Sequence, residues 1–518
     1  MTQKIMLGNE AIARGAWEAG CRVAAAYPGT PSTEILETIA RDYSDIKSQW
    51  SPNEKVALEV AAGAAIAGAR SIAAMKHVGL NVAADPLFTF SYTGVNAGLV
   101  IINADDPGAW SSQNEQDNRH LAKAAKLPML DPSDPAEAKE FTKIAFKMSE
   151  EFDRAVIVRI TTRLAHSQAL VNINERDNVP LKDFVRDPKK YVMIPAHARP
   201  RHVFIEQQLI KLKDYSNESG LNKIEWRNKK RGIITNGVAY HYVRETCPDD
   251  SVLKIGMVWP LPDKLIKEFA SQVEELYAVE ELDPFIEDYV KSLGIKITGK
   301  DIIPICNELT PEIVDKAMNK KEAPAATPQY EGNIPGRPPG LCKGCPHAFV
   351  FNILKKHNYV VNGDIGCYTL GVLPPYSSMH SQGCMGASIG MHLGFEKARG
   401  DEMARNSVAV IGDSTFIHSG ITGLIDLVYN KGTGTVIILD NRITAMTGHK
   451  GNPASGKTIS GEPAHELDLA MLAKACGVNR VTVLDPRDAE LLEKTITEEV
   501  AAKEPSVIIA KRKCILIK

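Results

Sequence analysis

Short apolar runs closed by polar turns recur along the whole chain, and between them apolar residues return every three or four positions. Runs of that length read as strands buried on both faces and the longer patterns as amphipathic helices, so their alternation predicts α/β layers built on parallel sheets. In the first segment, to about Leu170, strands are expected at 71–75, 97–103 and 155–160. A charged, irregular stretch from Asn172 to Arg231 separates it from a second, smaller α/β unit with strands at 232–236, 252–257 and 275–279. Prolines at 324, 328, 335, 338 and 339 deny regular backbone hydrogen bonding to residues 323–340, which read as a linker. The expected division is therefore 1–190, 191–320, a linker at 321–340, and 341–518.

The last segment carries the sharpest signal. One apolar run, Val408 to Ile411, closes on Gly412-Asp413-Ser414, and the next, Thr435 to Leu439, closes on Asp440-Asn441. The residues between, Ile417 to Asn430, have a helical pattern. Strand, helix and strand then form a right-handed crossover that brings Asp413 and Asn441 to the same sheet edge, where open parallel sheets bind ligands and a helix start offers N–H groups to phosphate. Asp413, the Asn441 amide and a backbone carbonyl near Ile443 supply the protein's share of an octahedral magnesium shell around a diphosphate. The plainer alternative is two ordinary turns of an α/β protein. Two glycine- and alanine-rich helices, 61–70 and 383–394, echo each other, and small residues repeated in this way imply close packing at a domain or subunit contact.

The chain has 518 residues and a formal charge of −2, which gives no field to attract nucleic acid or an anionic membrane. The basic stretch Arg227 to Arg231 is too isolated to change that. No charged leader with an apolar core opens the chain, and its most apolar long stretch, Leu87 to Ile102, is broken by Ser91, Thr93, Gly94 and Asn96; a soluble cytoplasmic protein is expected. Nine cysteines, spread without the density of a small secreted scaffold, point to reduced thiols or metal ligands rather than disulfides.

The Gly412-Asp413…Asn441 arrangement resembles the diphosphate motif of thiamine-diphosphate enzymes, with Ser414 where a glycine is usual. Glu59, followed by Gly68-Ala69-Arg70, resembles the glutamate that such enzymes place beside the aminopyrimidine ring; its plainer reading is an exposed glutamate paired with Lys55 one turn earlier. Tyr27-Pro28-Gly29-Thr30-Pro31-Ser32 is similar to a turn of the 2-oxoacid:ferredoxin oxidoreductases. Leu341-Cys342-Lys343-Gly344-Cys345-Pro346-His347, Gly363-Asp364-Ile365-Gly366-Cys367 and Thr447-Gly448-His449 extend the likeness to the alpha subunits of the indolepyruvate:ferredoxin oxidoreductase family, from about Met6 to Cys514.

That resemblance implies three open-sheet α/β domains: pyrimidine-binding (1–190), transketolase-C-like (191–320) and diphosphate-binding (341–518). It implies thiamine diphosphate and Mg2+ as cofactors, with Gly412, Asp413, Ser414, Asn441, Ile443, Gly366, Cys367 and Glu59 around them. A buried, protonated Glu59 would act on the pyrimidine so that thiamine C2 loses its proton. Thr30 is implied at the substrate carboxylate, with an ordinary turn residue as the alternative. His77 and His380 are the preferred acid–base candidates, ahead of His347 and His449, with a satisfied structural histidine as the alternative for each. Cys342, Cys345 and Cys367 resemble ligands of a [4Fe–4S] cluster, with Cys384 or Cys476 as fourth-ligand candidates; free thiols packed near a helix start are the alternative.

The implied reaction is oxidative decarboxylation of an aryl 2-oxoacid, such as indolepyruvate or phenylpyruvate, with coenzyme A, giving aryl-acetyl-CoA, carbon dioxide and reduced ferredoxin. This places the chain in aromatic amino acid catabolism and electron transport. A smaller beta subunit is implied, with two copies of each chain in a heterotetramer. The family's usual ferredoxin-like domain would follow Cys514; it is either absent or not included in this sequence. A non-oxidative thiamine-dependent decarboxylase or synthase, or a non-catalytic scaffold subunit, are the rival readings.

Overall fold

The computed structural model describes residues 2–320 and 339–517, so most of the expected linker lies outside the described residues. The chain divides into two compact units, residues 1–331 and 332–518.

In the first unit the strands are β1 (Thr2–Leu7), β2 (Val23–Ala26), β3 (Lys47–Trp50), β4 (Ser71–Lys76), β5 (Leu99–Asp105), β6 (Met129–Leu130), β7 (Val156–Thr161) and β8 (Gln168–Ile173), followed by β9 (Lys223–Glu225), β10 (Asn228–Asn236), β11 (Asp250–Ile255), β12 (Met257–Trp259) and β13 (Glu275–Val279). A seven-stranded sheet runs β12-β6-β7-β5-β4-β2-β3, parallel except at β12. Its middle strands β4, β5 and β7 are buried at every position, which is why apolar and small residues dominate them, with Lys76, Asn103, Asp105 and Arg159 as the polar exceptions. A four-stranded sheet runs β13-β10-β11-β9, and β1 and β8 form a separate antiparallel ribbon. Residues 1–190 and 191–320 each carry a sheet, yet β12 joins the larger sheet, and one apolar core runs from Leu58 and Met75 through Leu253 to Ile297.

The stretch Asn172–Arg231, expected to be irregular, holds a 24-residue helix, Pro195–Glu218. Only Ile205, Gln208, Leu212 and Ser216 are buried on it, and two of these are polar, so the period was too thin to read.

The second unit contains β14 (Val360–Gly363), β15 (Ser381–Gln382), β16 (Ser407–Gly412), β17 (Thr435–Asp440), β18 (Arg480–Leu484) and β19 (Ser506–Lys511). They form one all-parallel sheet in the order β15-β14-β16-β17-β19-β18, with a core on each face. The glycine-rich helix expected over 383–394 starts only at Ala387 and runs to Arg399, because Gly386, at φ 88°, turns the chain into it. No helix among the described residues is long and apolar enough to cross a membrane.

Candidate active site

In the second unit Gly412 lies opposite Leu439, so Asp413 and the Asp440-Asn441 pair leave neighbouring parallel strands side by side. Asp413 is 2% exposed and accepts a hydrogen bond from Asn452 Nδ2 at 3.1 Å. Burial, reinforced by the Asp440 charge, pushes its carboxyl up to about 7; Arg442 opposes this only weakly. Such a carboxylate is a buried charge short of a cation, and a divalent ion arriving with a phosphate would relieve it.

Asn441 is buried and its orientation is set from both ends. Its Nδ2 donates to His347 Nε2 at 3.3 Å, and burial holds that imidazole down to about 4, hence neutral and able to accept. Its Oδ1 accepts from the Ile443 N–H at 3.1 Å, which leaves the second lone pair of an amide oxygen for a cation. Ser414 accepts from Thr444 Oγ1 at 2.8 Å, tying the Asp413 turn to the loop that follows Asn441. The helix after Asp413 contains a π-helical turn, Phe416–Gly420, before it resumes as Ile421–Tyr429; such turns recur at functional sites.

The loop after β14 belongs to the same region. Thr415 Oγ1 donates to the Ile365 carbonyl at 2.9 Å. The buried Asp364 carboxylate accepts from the N–H groups of Ile365 (2.9 Å), Gly386 (2.9 Å) and Ser388 (3.0 Å), locking this loop onto the start of the Ala387–Arg399 helix. Gly366 and Gly412 both pack against the Tyr368 ring, where an added Cβ would stand 2.4 and 2.7 Å from ring atoms. His380 is exposed, with Nδ1 accepting from the Val361 N–H at 3.1 Å, and His449 is exposed.

All nine cysteines are free thiols. Cys367 is pushed up to about 11 by burial, with Cys345, Cys514 and Cys342 adding to the shift, and Cys345 is raised by burial together with Cys342 and Cys514. Cys345 and Cys367 therefore both feel the charges of Cys342 and Cys514, and neither Cys384 nor Cys476 is among these influences. The Cys514 N–H donates to the Asn441 carbonyl at 3.0 Å, so this cysteine hangs from the same turn as the candidate cation ligand.

The first unit holds the other predicted residues. The Tyr27–Ser32 turn follows β2; Ser32 donates from its N–H and its Oγ to the Gly29 carbonyl, both at 2.9 Å, and Thr30 is half-buried. His77 opens a short helix after β4, is fully buried, and has Nε2 3.2 Å from Asn114 Oδ1. Its Nδ1 has no partner among the described residues.

Glu59 differs from its expectation. Its side chain is 39% exposed and ion-paired with Lys55, the plainer of the two readings above. Glu54, in the first turn of the same helix, is the buried one at 5% exposure. It follows β3 at the carboxyl edge of the parallel sheet, and its carboxyl lies on Gly79, where an added Cβ would stand 2.6 Å from Oε1. The Gly68-Ala69-Arg70 segment that supported Glu59 is occupied otherwise: Gly68 (φ 98°) lies against the Lys182 carbonyl, and Arg70 pairs with Glu150 at 2.8 Å. Sequence reasoning also gave no role to Asn452, Asp364 or Cys514. For Glu54 the available signal was its place directly after an Asn N-cap at a strand-to-helix turn. A separate cavity of about 520 Å³, lined by Asp117, His120, Leu282, Asp283 and Cys306 among others, contains none of the predicted site residues.

Comparison with known proteins places these two halves in context. A family model described as "Thiamine pyrophosphate enzyme, C-terminal TPP binding domain" matches residues 364–510, and one described as "Pyruvate flavodoxin/ferredoxin oxidoreductase, thiamine diP-bdg" matches residues 14–232. The chain is 39% identical to "Indolepyruvate oxidoreductase subunit IorA" of Archaeoglobus fulgidus, over 99% of this chain and 86% of that one. It is 40% identical to the protein of the same name from Pyrococcus abyssi, with the same shares covered. Among solved structures, a 2-oxoglutarate:ferredoxin oxidoreductase from Magnetococcus marinus shares the fold, with TM-score 0.52 at 18% identity over 61% of this chain and 65% of that one.

Proposed function

The chain belongs to the family of the IorA subunits of indolepyruvate oxidoreductase, a thiamine-diphosphate type of oxidoreductase, and from that premise we propose that it is the catalytic subunit for oxidative decarboxylation of aryl 2-oxoacids such as indolepyruvate and phenylpyruvate. One 2-oxoacid anion, one coenzyme A thiol and two oxidised ferredoxins give one acyl-CoA, one carbon dioxide, two reduced ferredoxins and one proton. Thiamine diphosphate, when bound, would supply a carbon nucleophile and an electron sink for the decarboxylation.

The chain's own residues bind, orient and handle protons. Asp413, Asn441 Oδ1 and the Ile443 carbonyl would hold Mg2+ against the diphosphate, being the hard oxygen donors this ion takes. Gly412, Ser414, Gly366 and Cys367 line that end. Glu54, rather than Glu59, would stand beside the aminopyrimidine N1′, because its carboxyl is buried whereas that of Glu59 is exposed and paired with Lys55. Thr30 binds the substrate carboxylate, and His77 is the preferred acid–base group over the exposed His380. Cys342, Cys345, Cys367 and Cys514 would hold a [4Fe–4S] cluster, the four-thiolate set such clusters take, which would supply single-electron transfer towards ferredoxin. A smaller beta subunit completes a heterotetramer.

The observation that carries this reading is the buried Asp413 carboxylate, short of a cation, beside Asn441 on adjoining strand ends. The test is an anaerobic assay of this chain co-purified with its smaller partner. Viologen reduction dependent on both indolepyruvate and coenzyme A is expected; aldehyde release without acceptor reduction would replace the oxidative reading by a non-oxidative one.

A further inference from the structure

Lys76 ends β4 in the first unit and is 8% exposed. Its stem runs along the turn that carries Thr30: an added Cβ on Gly29 would stand 3.4 Å from Lys76 Cβ and 3.8 Å from its Cδ. One residue joins its tip to that turn, because the Ser111 carbonyl accepts from Lys76 Nζ at 2.6 Å while Ser111 Oγ donates to the Thr30 carbonyl at 3.4 Å.

The charges around this ammonium are Asp106, beyond β5, and Glu54, on the neighbouring helix. Asp106 is already committed: it accepts from the Ser111 N–H (2.9 Å), Ser112 Oγ (2.6 Å) and Thr162 Oγ1 (2.6 Å). A lysine held out of water beside a carboxylate already committed to other donors keeps N–H donors beyond the one it gives to the Ser111 carbonyl. A buried ammonium in that state calls for an anion. Three donors on a compact head suit a carboxylate.

We propose that Lys76 anchors the carboxylate of the 2-oxoacid substrate and thereby selects anionic 2-oxoacids over neutral ketones and aldehydes. This rests on the thiamine-dependent reading of the site and deepens it. The same burial that fixes Lys76 lowers its pKa from 10.5 to about 8, so the anchor weakens as pH rises through that value.

The experiment uses the complex of this chain with its partner subunit, loaded with thiamine diphosphate and Mg2+, and compares wild type, Lys76→Met and Lys76→Arg by steady-state kinetics with indolepyruvate. Lys76→Met is expected to raise KM at least tenfold at pH 7 with a smaller change in kcat, and to leave the calorimetric affinity for thiamine diphosphate unchanged, which also shows that the variant is folded. Wild-type KM should climb above pH 8, while that of Lys76→Arg stays flat over the same range, because a guanidinium does not titrate there. An unchanged KM in Lys76→Met, with wild type active, overturns the anchor alone. A wild-type complex that does not turn over 2-oxoacids at all overturns the functional reading beneath it.

Discussion

Glu54 and Glu59 lie on one helix, five positions apart, yet only the first is buried. Five residues turn a helix by about 140° beyond a full turn, so the two carboxyls face different ways. Sequence motif alone favoured Glu59 because the small residues after it resemble those of the family; which of the two carboxyls is buried is not written in the local sequence. Glu54→Gln in the assembled enzyme should therefore lower kcat by about 10²–10⁴-fold, the range for loss of a positioned acid–base group. Glu59→Gln should stay within a few-fold of wild type, since an exposed i,i+4 pair contributes only about 0.3–0.5 kcal/mol. Parallel kinetics on the two variants check this, and the opposite ranking would return the role to Glu59.

At the scale of elements, the ends of β16 and β17 were legible because both strands are continuous apolar runs closed by polar residues, and parallel pairing follows from the helix between them. The π-helical turn inside that helix left no mark in the apolar period. The long Pro195–Glu218 helix was missed for the opposite reason, since it buries too few side chains to print a period. Cys514 shows a third kind of limit. It follows β19, whose neighbour in the sheet is β17, and it is this pairing that brings it to the Asn441 turn and so to Cys367, 147 positions earlier in the chain. No local spacing encodes that return. If the four sulfurs hold one cluster, Cys514→Ser should remove most of the iron and acid-labile sulfide of the anaerobically purified protein, whereas Cys476→Ser should retain them. Equal iron in both variants would contradict the assignment.

Across the whole molecule, the alternation of strands and helices was enough to foresee open parallel sheets, but not that residues 1–190 and 191–320 share a core. That join is partly ionic and runs through side chains remote in sequence. Arg119 is fully buried and pairs with Asp117 and Glu280, each at 2.5 Å, while Arg159 pairs with Asp105 (2.6 Å) and Asp131 (2.9 Å), and Asn236 donates to Asp131 at 2.5 Å. Glu280 follows β13 and Asn236 ends β10, so both belong to the smaller sheet. Removing one member leaves buried charge unpaired: Arg119→Met should destabilise the first unit by about 3–5 kcal/mol in denaturant unfolding. The central claim concerns the other unit, and it is tested most directly by titrating the purified chain with thiamine diphosphate and Mg2+ in a calorimeter, wild type beside Asp413→Asn. Saturable, Mg2+-dependent binding to wild type and none to Asp413→Asn is the expected result, with the ligand-free variant as stable as wild type or more so, by about 1–3 kcal/mol, because an uncompensated buried carboxylate is gone. Heat of binding that is equal in the two proteins, or independent of Mg2+, would contradict the account.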